Sequence, residues 1–375
     1  MKTGFVDLPL HYGTTPRWLF ERMTDLSREI SKVIIFEFGR DEFLRRLSDP
    51  FWFQGFACVI GFDWHSSGTT TVACGALKQA LNNEEIGIAF LGGKGKGAKK
   101  TPAEIQNFSE KFNISQQKTN ELIRASRLSA KVDNDCIQDT FEIYQHSFVL
   151  SEDGKWAVIQ QGMNAETHYA RRYHWLSENL KNNEGFVNEP HTGISCDVTV
   201  KALNMVAGES SNARKCSVDI AKEKDTKFYF SKQTTLFEIE NFKMPMKHEI
   251  KLNEYENLMN PERIIKALNL AYESQPKNYE DLISIKGIGA GIIRALALLS
   301  DLVYGEKPSW KDPVKYSFAH GGKDGTPYKV SRKLLDKSIE ILKTGVENAK
   351  IGDNERIKAL RRLKDFIPKG ISQEI

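Results

Sequence analysis

The chain has 375 residues, 40% hydrophobic and 27% charged, a balance that fits a folded globular protein and excludes a disordered one. No run approaches the ~18 apolar residues of a membrane helix, and Met1-Lys2-Thr3-Gly4-Phe5 lacks a signal-peptide core, so neither membrane nor secretion is expected. The net charge is +4, yet residues 305–375 hold 16 Lys or Arg against 10 Asp or Glu, a C-terminal excess compatible with nucleic acid or with a solvated helix face.

The elements follow in order. Thr15-Pro16 opens a helix expected over 16–31, and a second stretch covers 41–47 and stops before Pro50. Residues 55–62 read as a buried strand that ends at Asp63-Trp64-His65-Ser66-Ser67-Gly68. A helix over 69–81 and a strand over 86–91 complete the pattern of a βαβ unit. Gly92-Gly93-Lys94-Gly95-Lys96-Gly97-Ala98-Lys99-Lys100 comes next, then Thr101-Pro102-Ala103-Glu104, read as a capping box that opens a helix. A helix is expected over 115–130. Strands over 141–150 and 156–161 flank Ser151-Glu152-Asp153-Gly154-Lys155, a hairpin turn. Residues 165–180 read as a helix and 182–255 as a polar connecting region. Helices dominate from about 261. The expected architecture is an α/β N-terminal domain (1–255) and a helical C-terminal domain (256–375).

Five cysteines, Cys58, Cys74, Cys136, Cys196 and Cys216, are scattered without a CxxC pair. That spacing argues against a disulfide framework or a Cys-based zinc site and leads to the expectation of a reducing cytoplasm.

The strongest motif is Asp281-Leu282-Ile283-Ser284-Ile285-Lys286-Gly287-Ile288-Gly289-Ala290-Gly291-Ile292-Ile293-Arg294-Ala295. It resembles a helix-hairpin-helix: apolar Leu282 and Ile285, the Gly287-Ile288-Gly289 hairpin, then Ile292, Ile293 and Ala295 on a packing face. The physics of that shape suits DNA phosphate. Unpaired amides of the hairpin and of the second helix's first turn point outward where the helix dipole is positive, and Lys286 and Arg294 add charge. Such contacts carry no sequence information, so binding to the DNA backbone through Lys286, Gly287, Ile288, Gly289, Ala290, Gly291 and Arg294 is expected. The motif also resembles the glycosylase branch of the helix-hairpin-helix proteins, which implies a catalytic Asp. Asp312, 23 residues after Gly289, is the nearest match, although no Pro precedes the hairpin.

Four further segments, Gly4-Phe5-Val6-Asp7-Leu8-Pro9-Leu10-His11-Tyr12-Gly13, the strand end before Asn164, Ala170-Arg171-Arg172-Tyr173-His174-Trp175 and Phe318-Ala319-His320-Gly321-Gly322-Lys323-Asp324-Gly325, resemble an archaeal and bacterial family known as a domain of unknown function. The resemblance implies a cytoplasmic prokaryotic protein and no activity.

The chemistry therefore rests on residues. Asp63 and His65 end the expected strand, where α/β folds place functional groups. They are the candidate holders of Mg²⁺ or Mn²⁺, or an acid–base pair. His146 and Gln161 sit on the hairpin strands. On the expected helix, His168, Arg171, Arg172 and Trp175 share one face, with His174 beside Arg171. The candidate catalytic set is Asp63, His65, His146, Gln161, Arg171 and His174. No HExxH, paired DxD or GxSxG motif occurs, and the second strand ends in Gln160-Gln161 rather than the acidic-x-Lys of restriction-type nucleases. The glycine-lysine segment fails the GxxxxGK[S/T] spacing, so Lys94 and Lys96 are expected in a basic loop on a nucleic-acid backbone. The expected function is DNA processing, a phosphodiester-cleaving nuclease, with a glycosylase or a non-catalytic DNA scaffold as alternatives.

Overall fold

A computed structural model of the protein describes residues 15–62, 67–180, 185–196, 198–223, 261–314 and 332–366. Its centre is a five-stranded antiparallel sheet in the order β1 (Ile88–Lys94), β3 (Glu142–Ser151), β4 (Trp156–Asn164), β5 (Tyr169–Leu176) and β6 (His191–Ser195). The short strands β2 (Ile137–Gln138) and β7 (Leu203–Asn204) pair beside it.

Both sheet faces are covered, and the two-residue period of the strands divides the apolar side chains between two cores. Ile88, Phe90, Val149, Ala157, Ile159 and Leu176 join the core built with α1 (Arg17–Leu47), α2 (Pro50–Val59) and α3 (Gly68–Leu81). Ala89, Leu91, Phe148, Trp156, Val158 and Trp175 join the opposite core. Its helices are α4 (Lys96–Lys111), α5 (Gln116–Lys131), α6 (Ser211–Lys222), α7 (Pro261–Ser274), α8 (Tyr279–Ser284) and α9 (Ala290–Tyr304).

The last helices return to the first core. Ile341, Leu342 and Val346 of α10 (Arg332–Asn348) and Ala359 and Leu363 of α11 (Asp353–Phe366) lie in it. Gly345 makes the close approach possible, because a Cβ there would meet Ile30 and Ile34 of α1 at 3.0–3.2 Å. Arg362 donates to the Val59 carbonyl at 2.8 Å and satisfies the C-terminal end of α2. The helices after residue 261 thus contribute to both layers.

Several expectations change. Residues 55–62 are not a strand: α2 is a helix buried along its whole length. A helix apolar all round loses its 3.6-residue signature and reads like a buried strand. Its start was marked by Asp49, whose carboxylate accepts the Phe51 N–H at 2.9 Å, with Pro50 at the first helical position. Without that strand there is no βαβ unit; β1 pairs antiparallel with β3.

Residues 165–180 contain the strand β5 instead of a helix, paired to β4 and β6. The Asn164 carboxamide accepts the Glu166 and Thr167 amides at 2.8 and 2.9 Å, and His168 turns the chain with φ 56°. Helix α4 begins at Lys96, so Thr101-Pro102 lies inside it rather than capping it. The Ala98 carbonyl opposite the missing Pro102 amide accepts the Thr101 hydroxyl at 2.7 Å. Helix α1 is one element across 16–47, broken only at Gly39. The helices 69–81 and 115–130 and the β3–β4 hairpin lie where the pattern predicts them.

Candidate functional site

Polar residues occupy both faces of the sheet, and alternation decides which residue goes where. Toward α2 and α3, the register aligns Gln145, Gln161, Arg172 and Ser195 in one row across four strands. The Gln161 amide donates to the Ser67 carbonyl at 2.7 Å and to the Tyr144 hydroxyl, and its oxygen accepts the Thr70 hydroxyl. Arg172 donates to Gln54 at 3.1 Å and stacks over the Phe53 ring at 4.8 Å. His174, one row along, pairs with the Leu47 carbonyl through Nδ1 at 3.0 Å. Burial lowers the pKa of His174 well below the usual histidine value and that of Arg172 to about 9.

The other face carries a second network, under α5 and the π-helical turn Val132–Cys136. Asp133 lies in that turn, fully buried. It accepts Trp175 Nε1 at 2.9 Å, Gln160 Nε2 at 2.5 Å and His191 Nε2 at 2.5 Å. Burial pushes its carboxyl up, against the pull of His191 and the other donors. The Gln160 oxygen meets His146 Nδ1 at 2.7 Å, and His146 Nε2 meets the Ser126 hydroxyl at 2.9 Å. Burial pushes the pKa of His146 down to about 4, which keeps the ring neutral.

Beside this chain lies an ionic clamp. Arg171 donates to Asp139 at 2.7 Å and to Asp312 at 2.8 Å and sits over the Phe141 ring at 4.5 Å. The Tyr173 hydroxyl also donates to Asp139, at 2.7 Å. Burial opposes the charge on Arg171, but the two carboxylates outweigh it and hold the guanidinium protonated. Asp312 additionally accepts the amides of Val200 at 2.6 Å and Val314 at 2.9 Å. It ties the segment after α9 to the sheet, and each of its oxygens is committed to a protein donor.

The expected catalytic set is therefore divided. His146 and Arg171 face one core, Gln161 and His174 the other, and all four are buried. A strand sends Arg171 and His174 to opposite sides, where a helix would have kept them neighbours. Asp63 and His65 lie outside the described residues, as do His320 and the glycine-lysine segment after it. Among the described residues no cluster of three or more His, Cys, Asp or Glu is placed to hold a metal. None of the five cysteines is in a disulfide, and four are buried.

At the other candidate surface, α8 ends at Ser284 and α9 starts at Ala290, joined by a five-residue hairpin. Ile288 is fully buried and anchors it. Gly287 has φ 97°, and a Cβ there would press on Ala267 at 3.2 Å. Gly289 is extended, with open space where a Cβ would stand. No side chain caps α9, and its first helical bond joins the Ile293 amide to the Gly289 carbonyl at 3.0 Å. The Ala290, Gly291 and Ile292 amides precede that bond, with Lys286 and Gly291 exposed. Arg294 is turned inward and donates to Gln138 at 2.6 Å. Lys94 and Lys96 are exposed where β1 passes into α4; the Lys94 ammonium lies 5.7 Å from the centre of the Tyr144 ring.

Sequence reasoning missed Asp133, Asp139, Gln160 and His191. Each partner pair is separated by tens of residues, so no local spacing marks them. The one available signal was the alternation Arg171-x-Tyr173-x-Trp175, which as a strand puts three polar-tipped side chains on one face and demands buried partners there.

No helix among the described residues is long and apolar enough to cross a membrane. Among curated proteins and solved structures, none matches the chain. Over residues 4–330 it matches the family described as "Protein of unknown function (DUF763)", and the chain belongs to that family.

Proposed function

We propose that this protein binds DNA through the phosphate backbone, without reading sequence, and that it acts in DNA processing. One observation carries the reading: the hairpin at 285–289 presents the uncapped N-terminus of α9, with an exposed lysine and two glycines that let a phosphate approach the backbone. Amides and a positive helix end suit phosphate oxygens, and neither distinguishes one base from another. The exposed lysines 94 and 96 add positive charge of the kind that follows a backbone.

Phosphodiester cleavage is the second reading. It draws on the row formed by Gln161, Arg172, Thr70 and Tyr144, which ends at Ser67, the first described residue after the segment that carries Asp63 and His65. In that row a guanidinium would hold a phosphate oxygen. Both readings are tested with labelled duplex, single-stranded and branched DNA and with RNA, incubated with and without Mg²⁺ or Mn²⁺. Similar affinity for two unrelated duplexes, falling steeply between about 50 and 200 mM salt, is the expected result. Strong preference for one sequence contradicts the binding reading. If products appear and Asp63→Asn leaves them undiminished, the cleavage site lies elsewhere.

A further inference from the structure

A cleft of about 350 Å³ opens beside the edge strand β6, lined by Glu189, His191, Glu209, Ser309, Lys311 and Asp312 among others. Its size is at the small end of ligand pockets. Most of its polar groups are already committed. Lys311 pairs with Glu209 at 2.5 Å, and the Ser309 hydroxyl donates to the same carboxylate at 3.1 Å. Asp312 is neutralised by Arg171 and saturated by backbone amides.

Two groups are left over. The His191 side chain is only 7% exposed, and its Nε2–H donates to the buried carboxylate of Asp133. That bond makes Nδ1 the acceptor of the neutral ring, and no described residue donates to it. The Glu189 carboxylate is exposed and has no ion-pair partner among the described residues. Its backbone is fixed at φ 48°, with its amide on the Val206 carbonyl at 2.9 Å. Both leftover groups accept hydrogen bonds, and once the pairs cancel the lining keeps one negative charge. A phosphate would be repelled here, whereas a small cation with several N–H donors is complementary in charge and in hydrogen bonding.

We propose that this cleft is a binding site for a small organic cation of the guanidine or amidine class, held between the Glu189 carboxylate and His191 Nδ1. Asp133 is a positioning residue that fixes the ring and its tautomer. The site is separate from the proposed DNA surface and does not depend on it.

The probe is methylguanidinium, with methylurea as its uncharged isostere, titrated into full-length protein labelled at histidine. His191→Gln identifies the His191 imidazole signal. Methylguanidinium should move that signal saturably, at least about tenfold more tightly than methylurea, as expected when a charge-assisted pair is added. Glu189→Gln, an exposed and isosteric change, should bring the two probes to the same weak response. Equal response to both probes, no saturable shift, or a Glu189→Gln protein that binds methylguanidinium like wild type would each overturn the proposal.

Discussion

The hairpin at 285–289 and the interior of the sheet use polar groups in opposite ways. The hairpin buries one apolar anchor, Ile288, and leaves its amides and Lys286 to solvent. The sheet buries Asp133, Asp139, His146, Gln160, Gln161, Arg171, Arg172 and His174 and satisfies most of their polar atoms internally. An exposed donor is free to meet a partner. A buried one mostly specifies which strand lies where, because leaving it unpaired is costly. The comparison places binding at the hairpin and assigns to the sheet network the task of holding β5, the π-helical turn and the segment after α9 in register.

The largest break in that comparison is Arg171→Ala. It leaves Asp139 and Asp312 without their cation inside the protein, and losing one partner of a buried pair costs about 3–5 kcal/mol. Urea unfolding should show that loss; a cost below about 1 kcal/mol would mean the clamp behaves like a surface pair.

Acid should act next. His146 has its pKa lowered by burial to about 4 in the folded protein, against an ordinary value near 6.5 when unfolded. Between those values the unfolded chain binds the extra proton, so stability is complete above about pH 6.5 and falls toward pH 4, by about 3 kcal/mol at most. His174 is shifted in the same direction. Unfolding measured from pH 7.5 to 4 should show this slope, and His146→Gln should flatten it without removing it. An unchanged slope would show that His146 takes up its proton without loss of structure.

Gly287→Ala comes third. It forces a side chain into φ 97° and against Ala267, at a cost of roughly 1–2 kcal/mol. Thermal unfolding should register it, and an unaffected midpoint would mean the hairpin relaxes freely.

The same contrast explains what was legible in the sequence. The hairpin reads locally, because an apolar frame around Gly-Ile-Gly is complete within fifteen residues. The β3–β4 hairpin and α5 read locally too: Asp153-Gly154 turns the first, and Ser115 caps the second by accepting the Lys118 amide at 3.3 Å. Helix α2 and strand β5 did not read, for one physical reason. Each is buried on every side, so neither shows the polar–apolar period that separates a helix from a strand. With β5 read as a helix, Arg171 and His174 seemed to share a surface. The strand sends one to Asp139 and Asp312 and the other to the Leu47 carbonyl. The His191–Asp133 pair spans 58 residues and becomes visible only once β6 is laid beside β5.

The most direct test of the central claim is DNA affinity of wild type and Gly289→Val, measured by fluorescence anisotropy at about 50 and 200 mM salt. The Gly289 backbone is extended and its missing Cβ faces open space, so valine should leave the fold and its melting temperature intact while it fills the surface where a phosphate would approach. The account predicts that wild-type affinity falls steeply with salt and that Gly289→Val binds at least about tenfold more weakly at low salt, the effect of losing roughly 1.4 kcal/mol of contact. A folded Gly289→Val protein that binds DNA as tightly as wild type would contradict it.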